Sequence, residues 1–253
     1  MDDTPITPHA DAARRAATAD AVLGELVQTS SAALGPDLLS VVLFGSAAEG
    51  RLRADSDVNV LFLLKAFDAQ RIDVLREPLR LAHAAARVEV MFLLEEELPA
   101  AAQLFAVKFN DIRERHRVLH GSDPVATLDI DAVDLRRQLR ETLLNLAIRL
   151  RQRYALTSLR DEQLARVIAE VAGPLRASAA ALLRLQGRPA ASAREALVAV
   201  AAATGEQAYI EAVALLPRAR EEHRLPPGAG GPALLALSRL AHHLRLALEG
   251  QTA

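Results

Sequence analysis

Residues 41–64 read VVLFGSAAEGRLRADSDVNVLFLL. An apolar run, Val41 to Phe44, stops at Gly45-Ser46. Eleven residues after Ser46 comes Asp57, which opens a second apolar run, Val58 to Leu64. The reading is strand, small-residue turn, strand. Gly45 and Ser46 make a turn whose backbone can approach a phosphate, because N–H groups at such a turn bind anionic oxygens. Ala47, Ala48 and Gly50 keep the following residues uncrowded. Strand side chains alternate with period 2, so Asp57, Asn59 and Leu61 share one face, and Val58, Val60 and Phe62 the other. The two polar residues therefore point together.

A third apolar run, Arg87 to Leu94 (RVEVMFLL), carries an acid, Glu89, between valines. It predicts another strand of the same sheet. Between the second and third runs, residues 68–86 read as a helix with Ile72, Leu75, Leu79 and Leu81 inward and a kink or break available at Pro78. Before the first run, residues 10–33 read as a helix through Ala17, Val22, Leu23, Leu26 and Val27, stopped by Gly35-Pro36. Residues 1–8 are expected to be disordered. Glu95-Glu96-Glu97 opens a helical segment, where acids suit the N-terminal dipole. Arg117 to Gly121 reads as a short edge strand.

After Gly121-Ser122-Asp123-Pro124 the strand signals cease. Leu135, Leu139, Leu143, Leu146, Leu150 and Tyr154 form one long helical stripe. Helical segments follow at 160–185, with a break expected at Gly173-Pro174, then at 191–203, 205–216 and 233–248, with a loop at 225–232. The expected organisation is an α/β domain over 1–125 and a helical bundle over 126–253. The fold class is α+β: a mixed sheet with flanking helices, followed by an all-helical C-terminal domain.

Bulk composition excludes several functions. Hydrophobic residues make up 51% of the 253 residues, which suffices for a substantial core. Aromatics are 3% and the net charge is −2, so neither base stacking nor a global basic footprint points to nucleic acid. There is no cysteine, which removes disulfides, thiolate metal sites and Cys nucleophiles and fits a reducing, cytoplasmic setting. The polar start MDDTPITPHADAARR does not read as a signal peptide, and no apolar run is long enough to span a bilayer, so no membrane partner is expected. All the basic residues except Lys65 and Lys108 are Arg, a composition that suggests a bacterial, GC-rich source.

Gly45-Ser46, Gly50, and then Ser56-Asp57-x-Asn59 between two apolar strands resemble the nucleotidyltransferase superfamily that includes DNA polymerase beta. The resemblance extends more weakly through Glu89 and Arg117–Gly121 to about residue 125. The helical second half resembles, in kind only, the helical domains of bacterial aminoglycoside adenylyltransferases.

The resemblance implies a fold and a site. Gly45 and Ser46 would cradle the triphosphate of ATP or another NTP. Asp57, Asn59 and Glu89 would hold Mg2+, and Asp57 and Glu89 would be the catalytic carboxylates, with Glu89 as third ligand or general base. The reaction implied is transfer of a nucleoside monophosphate, AMP from ATP, to a hydroxyl of a small molecule held between the two halves. One letter departs from the family pattern: position 59, a carboxylate in the family, is Asn. An Asn side chain coordinates through a neutral oxygen and brings no charge. Two readings stay open: an enzyme that tolerates Asn59, or a catalytically degenerate scaffold acting as a nucleotide-binding, regulatory or toxin–antitoxin-type module.

Other features have two readings as well. Arg51 and Arg53 could reach phosphates or lie on a solvated loop. Glu95, Glu96 and Glu97 could favour a polycationic acceptor or simply start a helix. The Arg-rich stretch Arg136, Arg137, Arg140, Arg149, Arg151, Arg153 could line an anionic pocket, but such runs are more often solvated faces. The spacings Arg115-x4-His120 and Arg218-x4-His223 echo HEPN-type ribonuclease signatures, yet about two such pairs arise by chance in a chain this rich in Arg.

Overall fold

In a computed structural model, residues 8–52, 56–157 and 160–249 are described. Residues 1–7, where disorder was expected, and Arg53 lie outside them, and Pro8 opens the first helix. The chain packs as two compact units, Met1–Ala102 with Ile112–Asp129, and Gln103–Asp111 with Ile130–Ala253.

The first unit carries helix α1 (Pro8–Leu34), strands β1 (Leu38–Phe44) and β2 (Val58–Leu64), helix α2 (Ala69–Ala86) and strand β3 (Val88–Leu94). A 3₁₀ turn (Glu95–Glu97), helix α3 (Leu98–Leu104), helix α4 (Ala106–Glu114) and strand β4 (His116–Gly121) follow in the chain, with Gln103–Asp111, most of α4, belonging to the second unit. The four strands form one mixed sheet in the order β3-β2-β1-β4. β1 runs antiparallel to β2 and β4, and β2 runs parallel to β3. A parallel neighbour requires a crossover, and α2 supplies it.

Alternation decides which face is covered. Val58, Val60, Phe62 and Leu64 of β2 join Val41 and Leu43 of β1 in a core with Leu23 and Leu26 of α1 and Ile72 and Leu75 of α2. Phe62 meets Phe92 of β3 edge-on, with centroids 5.5 Å apart. Asp57 stands one residue ahead of β2 rather than within it. Pro78 lies inside an unbroken α2, whose start is capped by the Asp68 side chain accepting from the N–H groups of Gln70 and Arg71.

β4 is tied to β1 through side chains as well as the ladder. The buried Ser40 hydroxyl lies 3.1 Å from His120 O and 2.7 Å from Ser122 O, both of which accept. His116 bridges both ends of this edge: Nδ1 is 3.0 Å from Arg113 O and Nε2 2.9 Å from Asp123 Oδ2. Partial burial pushes the Asp123 carboxyl up. The hydrogen bond from His116 and those from the Ala126 and Val125 N–H groups outweigh it, and the net position is below the ordinary carboxylate value. A depressed folded-state value means the stabilisation is present above the unfolded value and is lost as pH falls through the folded one. Urea midpoints measured across the acid range should therefore decline more steeply for the wild type than for Asp123→Asn.

The second unit is helical: α5 (Ala132–Thr157), α6 (Asp161–Leu185), α7 (Ala193–Ala203), α8 (Gln207–Glu222) and α9 (Gly230–Glu249). The predicted stripe is the buried face of α5, with Leu135, Leu139, Leu143, Leu146 and Leu150 in the core and Tyr154 packed at its edge. The expected break at Gly173-Pro174 is absent. Pro174 costs α6 one ladder bond, about 3 kcal/mol. However, Ile168, Val171, Ala172, Leu175 and Ala179 continue one buried stripe through it, and that burial outweighs the loss. α8 likewise continues past Pro217, and α9 begins at Gly230 rather than 233. No described helix is long and apolar enough to cross a membrane.

Candidate nucleotide site

Asn59, Glu89 and the Gly45 turn lie together at one corner of the sheet, with Asp57 one residue ahead of β2. In the parallel ladder Asn59 stands directly beside Glu89, and in the antiparallel ladder it faces Phe44, the last residue of β1. Val58 and Val60 face the core with α1 and α2, so Asn59 and Glu89 point to the opposite side. Gly45 follows Phe44 with φ +77°, a left-handed backbone that favours glycine. A methyl group built on it would lie 4.0 Å from Asn59 Nδ2. The turn and the polar face of β2 are therefore neighbours.

The turn is closed by its own backbone. Gly50 N–H donates to Ala47 O at 3.1 Å and Arg51 N–H to Ser46 O at 2.9 Å. Gly45 N–H is taken by Arg115 O at 2.9 Å, so an anion at this turn would meet donors from Ser46 onward. Arg115 also holds Glu49 at 3.3 Å, bracing the turn from both ends. On the α1 side of the sheet, away from Asn59, a cavity of about 210 Å³ lies among Ala19, Leu23, Leu43, Ala47 and Ala48.

Each carboxylate has a cationic or ionisable partner. Asp57 Oδ1 accepts from Arg87 Nε at 2.9 Å and Nη2 at 2.8 Å. Glu89 Oε1 lies 3.2 Å from His83 Nδ1, which is also 3.3 Å from Val88 O. With two acceptors around it, that nitrogen carries the proton. The Asp57 and Arg87 side chains are 43% and 52% exposed. Such a pair contributes about 1 kcal/mol at most after screening. Asn59 Nδ2 leans toward Asp57 O at 3.5 Å.

Arg87 and Arg115 escaped sequence reasoning. For Arg87 the signal was present. Asn59 and Glu89 are 30 residues apart and lie side by side, so the same offset places Arg87 beside Asp57. Val58 N–H donating to Arg87 O at 3.0 Å fixes that register. Arg87 also ends α2 in a left-handed conformation, φ 54° and ψ 41°, which costs a non-glycine residue about 1–2 kcal/mol. Arg115 had no comparable signal, since only the β1–β4 pairing brings it to the turn.

The donor chemistry suits magnesium in one form. Among the described residues no group of three or more His, Asp or Glu side chains is gathered for a metal ion. A preformed all-protein cage is thus not what these residues build. Magnesium is commonly held by one or two protein oxygens together with substrate phosphates, and Asp57 with Asn59 beside the Gly45-Ser46 turn fits that form.

The other candidates have local explanations. Glu97 accepts from Leu94 N–H at 2.9 Å, a helix-start role. In the Arg-rich helix, Arg137, Arg140 and Arg153 pair with Asp134, Glu249 and Glu170. Arg51 is exposed.

No family model matches this chain, and no curated protein matches it in sequence. Among solved structures it is similar to spectinomycin adenyltransferase AAD(9) from Enterococcus faecialis, whose crystal structure was determined with ATP and spectinomycin. The TM-score is 0.58 at 15% identity, over 89% of this chain and 98% of that one. At that identity the likeness is one of architecture: this chain has an α+β, nucleotidyltransferase-like fold, a mixed four-stranded sheet with flanking helices followed by a helical C-terminal region.

Proposed function

We propose that this protein is a magnesium-dependent nucleotidyltransferase that transfers AMP from ATP to a hydroxyl of a small molecule. The observation that carries this reading is the register placing Asn59, two residues after Asp57 and next to the Gly45-Ser46 turn, beside Glu89. In this reading residues 1–125 form the nucleotide-binding part and 126–253 a helical bundle, in a bacterial cytoplasmic protein. The fold neighbour's ATP and spectinomycin support ATP as donor and a small hydroxylated cation as acceptor.

The chemistry assigns each residue a task. N–H groups from Ser46 onward hold phosphate oxygens. Glu89 takes the proton as the acceptor oxygen bonds to the α-phosphorus, and the bond from that phosphorus to the bridging oxygen breaks, releasing pyrophosphate. His83 holds the Glu89 carboxylate in place. Asp57, Asn59 and Glu89 would hold magnesium, which when bound neutralises charge on the triphosphate.

A second reading has its own support. Asn59 brings no charge, and Asp57 is already paired with Arg87. A degenerate scaffold that binds nucleotide for a regulatory purpose would keep the turn and tolerate both.

Asn59→Asp separates the two. Restoring a charge beside Asp57 should tighten magnesium binding by about tenfold, since affinity follows ligand charge. In an enzyme, turnover at low magnesium should rise as well. In a scaffold that has lost other parts, magnesium binding should improve while turnover stays at background. Unchanged magnesium affinity would mean Asn59 is not at a metal site.

A further inference from the structure

The site has an unusual charge balance for the function proposed above, on which this inference rests. One family carboxylate is replaced by neutral Asn59, and a guanidinium has been brought to the remaining one. Arg87 places both Nε and Nη2 on a single oxygen of Asp57, at 2.9 and 2.8 Å. It does so from a left-handed residue at the end of α2, where glycine would fit without strain. Backbone strain beside a candidate site directs attention to the side chain that the strained residue carries. The pair is about half exposed on both sides, so the guanidinium can leave Asp57 without first being desolvated or released from a core.

We propose that Arg87 is the resident counter-ion of the nucleotide site. It pairs with Asp57 before nucleotide arrives, and it transfers its two donors to the triphosphate when ATP and one magnesium ion bind. A planar guanidinium matches phosphate oxygens in a bidentate fork. It would thereby supply the positive charge that a second metal ion provides where position 59 is a carboxylate. The loss of charge at Asn59 and the presence of Arg87 are then two halves of one arrangement: a single-metal site completed by an arginine. No covalent step is assigned to Arg87; it is a binding residue for the triphosphate.

This role makes two affinities move in opposite directions when the guanidinium is removed. Arg87→Gly deletes the charge at a backbone position suited to glycine, and Arg87→Asn does so with another residue at ease in that conformation. Mn2+ binding without nucleotide, followed by its electron paramagnetic resonance signal, should tighten by several-fold to about tenfold, because a positive charge near the divalent ion is gone. ATP binding in the presence of magnesium, followed by calorimetry, should weaken by about tenfold. Arg87→Lys should retain part of the ATP affinity. A merely structural Arg87 would move both affinities the same way or neither, and that result overturns the proposal. If the wild type binds Mn2+ and ATP and both variants match it, the role of Arg87 falls while the nucleotide site stands. If the wild type binds neither, both fall together.

Discussion

Asp57→Asn is expected to reduce AMP transfer by at least about 10²-fold, the usual cost of removing one preorganised charge that acts on the transition state. Asn59 is already neutral, so of the two polar residues that open β2 only Asp57 carries a charge. Its isosteric amide keeps the shape but supplies no charge for a cation. The ion pair with Arg87 is half exposed, so its loss should cost about 1 kcal/mol or less, and the variant should melt close to the wild type. Single-turnover transfer from labelled ATP, read beside a thermal melt, separates the chemical effect from unfolding. A rate within about threefold of wild type would remove Asp57 from the reaction.

Gly121→Val should be the most damaging single change to the fold, at more than about 4 kcal/mol or outright failure to fold. Gly121 closes β4 with φ +76°, and a Cβ there would lie 2.0 Å from Leu39 O. The atom in the way is backbone of β1, so a rotamer change cannot relieve it. The hydroxyl of Ser40 holds the backbone on either side of Gly121. Moving β1 there would shift the strand that ends at Phe44 and presents the Gly45-Ser46 turn. A β-branched side chain adds the strain of a left-handed backbone. Gly24 offers the control. It sits in α1 with nothing within 4 Å of a built Cβ, and Gly24→Ala should stabilise by about 0.5–1 kcal/mol. Urea midpoints for the two variants should move in opposite directions.

Much of the fold was legible because its signals are local. Three short apolar runs bounded by turn residues marked β1, β2 and β3, and the period-2 alternation put Asn59 on the same face as Asp57 before any pairing was known. The 3.6-residue stripe from Leu135 to Leu150 marked α5 for the same reason. What failed was punctuation. Gly173-Pro174 reads as a break and the helix at 205–216 stops short of Pro217, because local sequence shows the missing N–H but not the buried stripe on either side that outweighs it. At the site, residue types and spacing identified Gly45, Ser46, Asp57, Asn59 and Glu89 as candidates. The partners that set their electrostatics were invisible one by one: Arg115 reaches the turn only through the β1–β4 ladder. Arg87 reaches Asp57 only through the parallel register of β2 and β3.

That the corner formed by Gly45-Ser46, Asp57, Asn59 and Glu89 binds a nucleoside triphosphate with magnesium is most directly tested by calorimetric titration of ATP into the wild type and Asp57→Ala, each with and without magnesium. Wild-type binding should depend on magnesium, and Asp57→Ala should bind at least about tenfold more weakly, equivalent to about 1.4 kcal/mol. Wild-type binding that ignores magnesium, or an Asp57→Ala protein that binds ATP as well as the wild type, would contradict it.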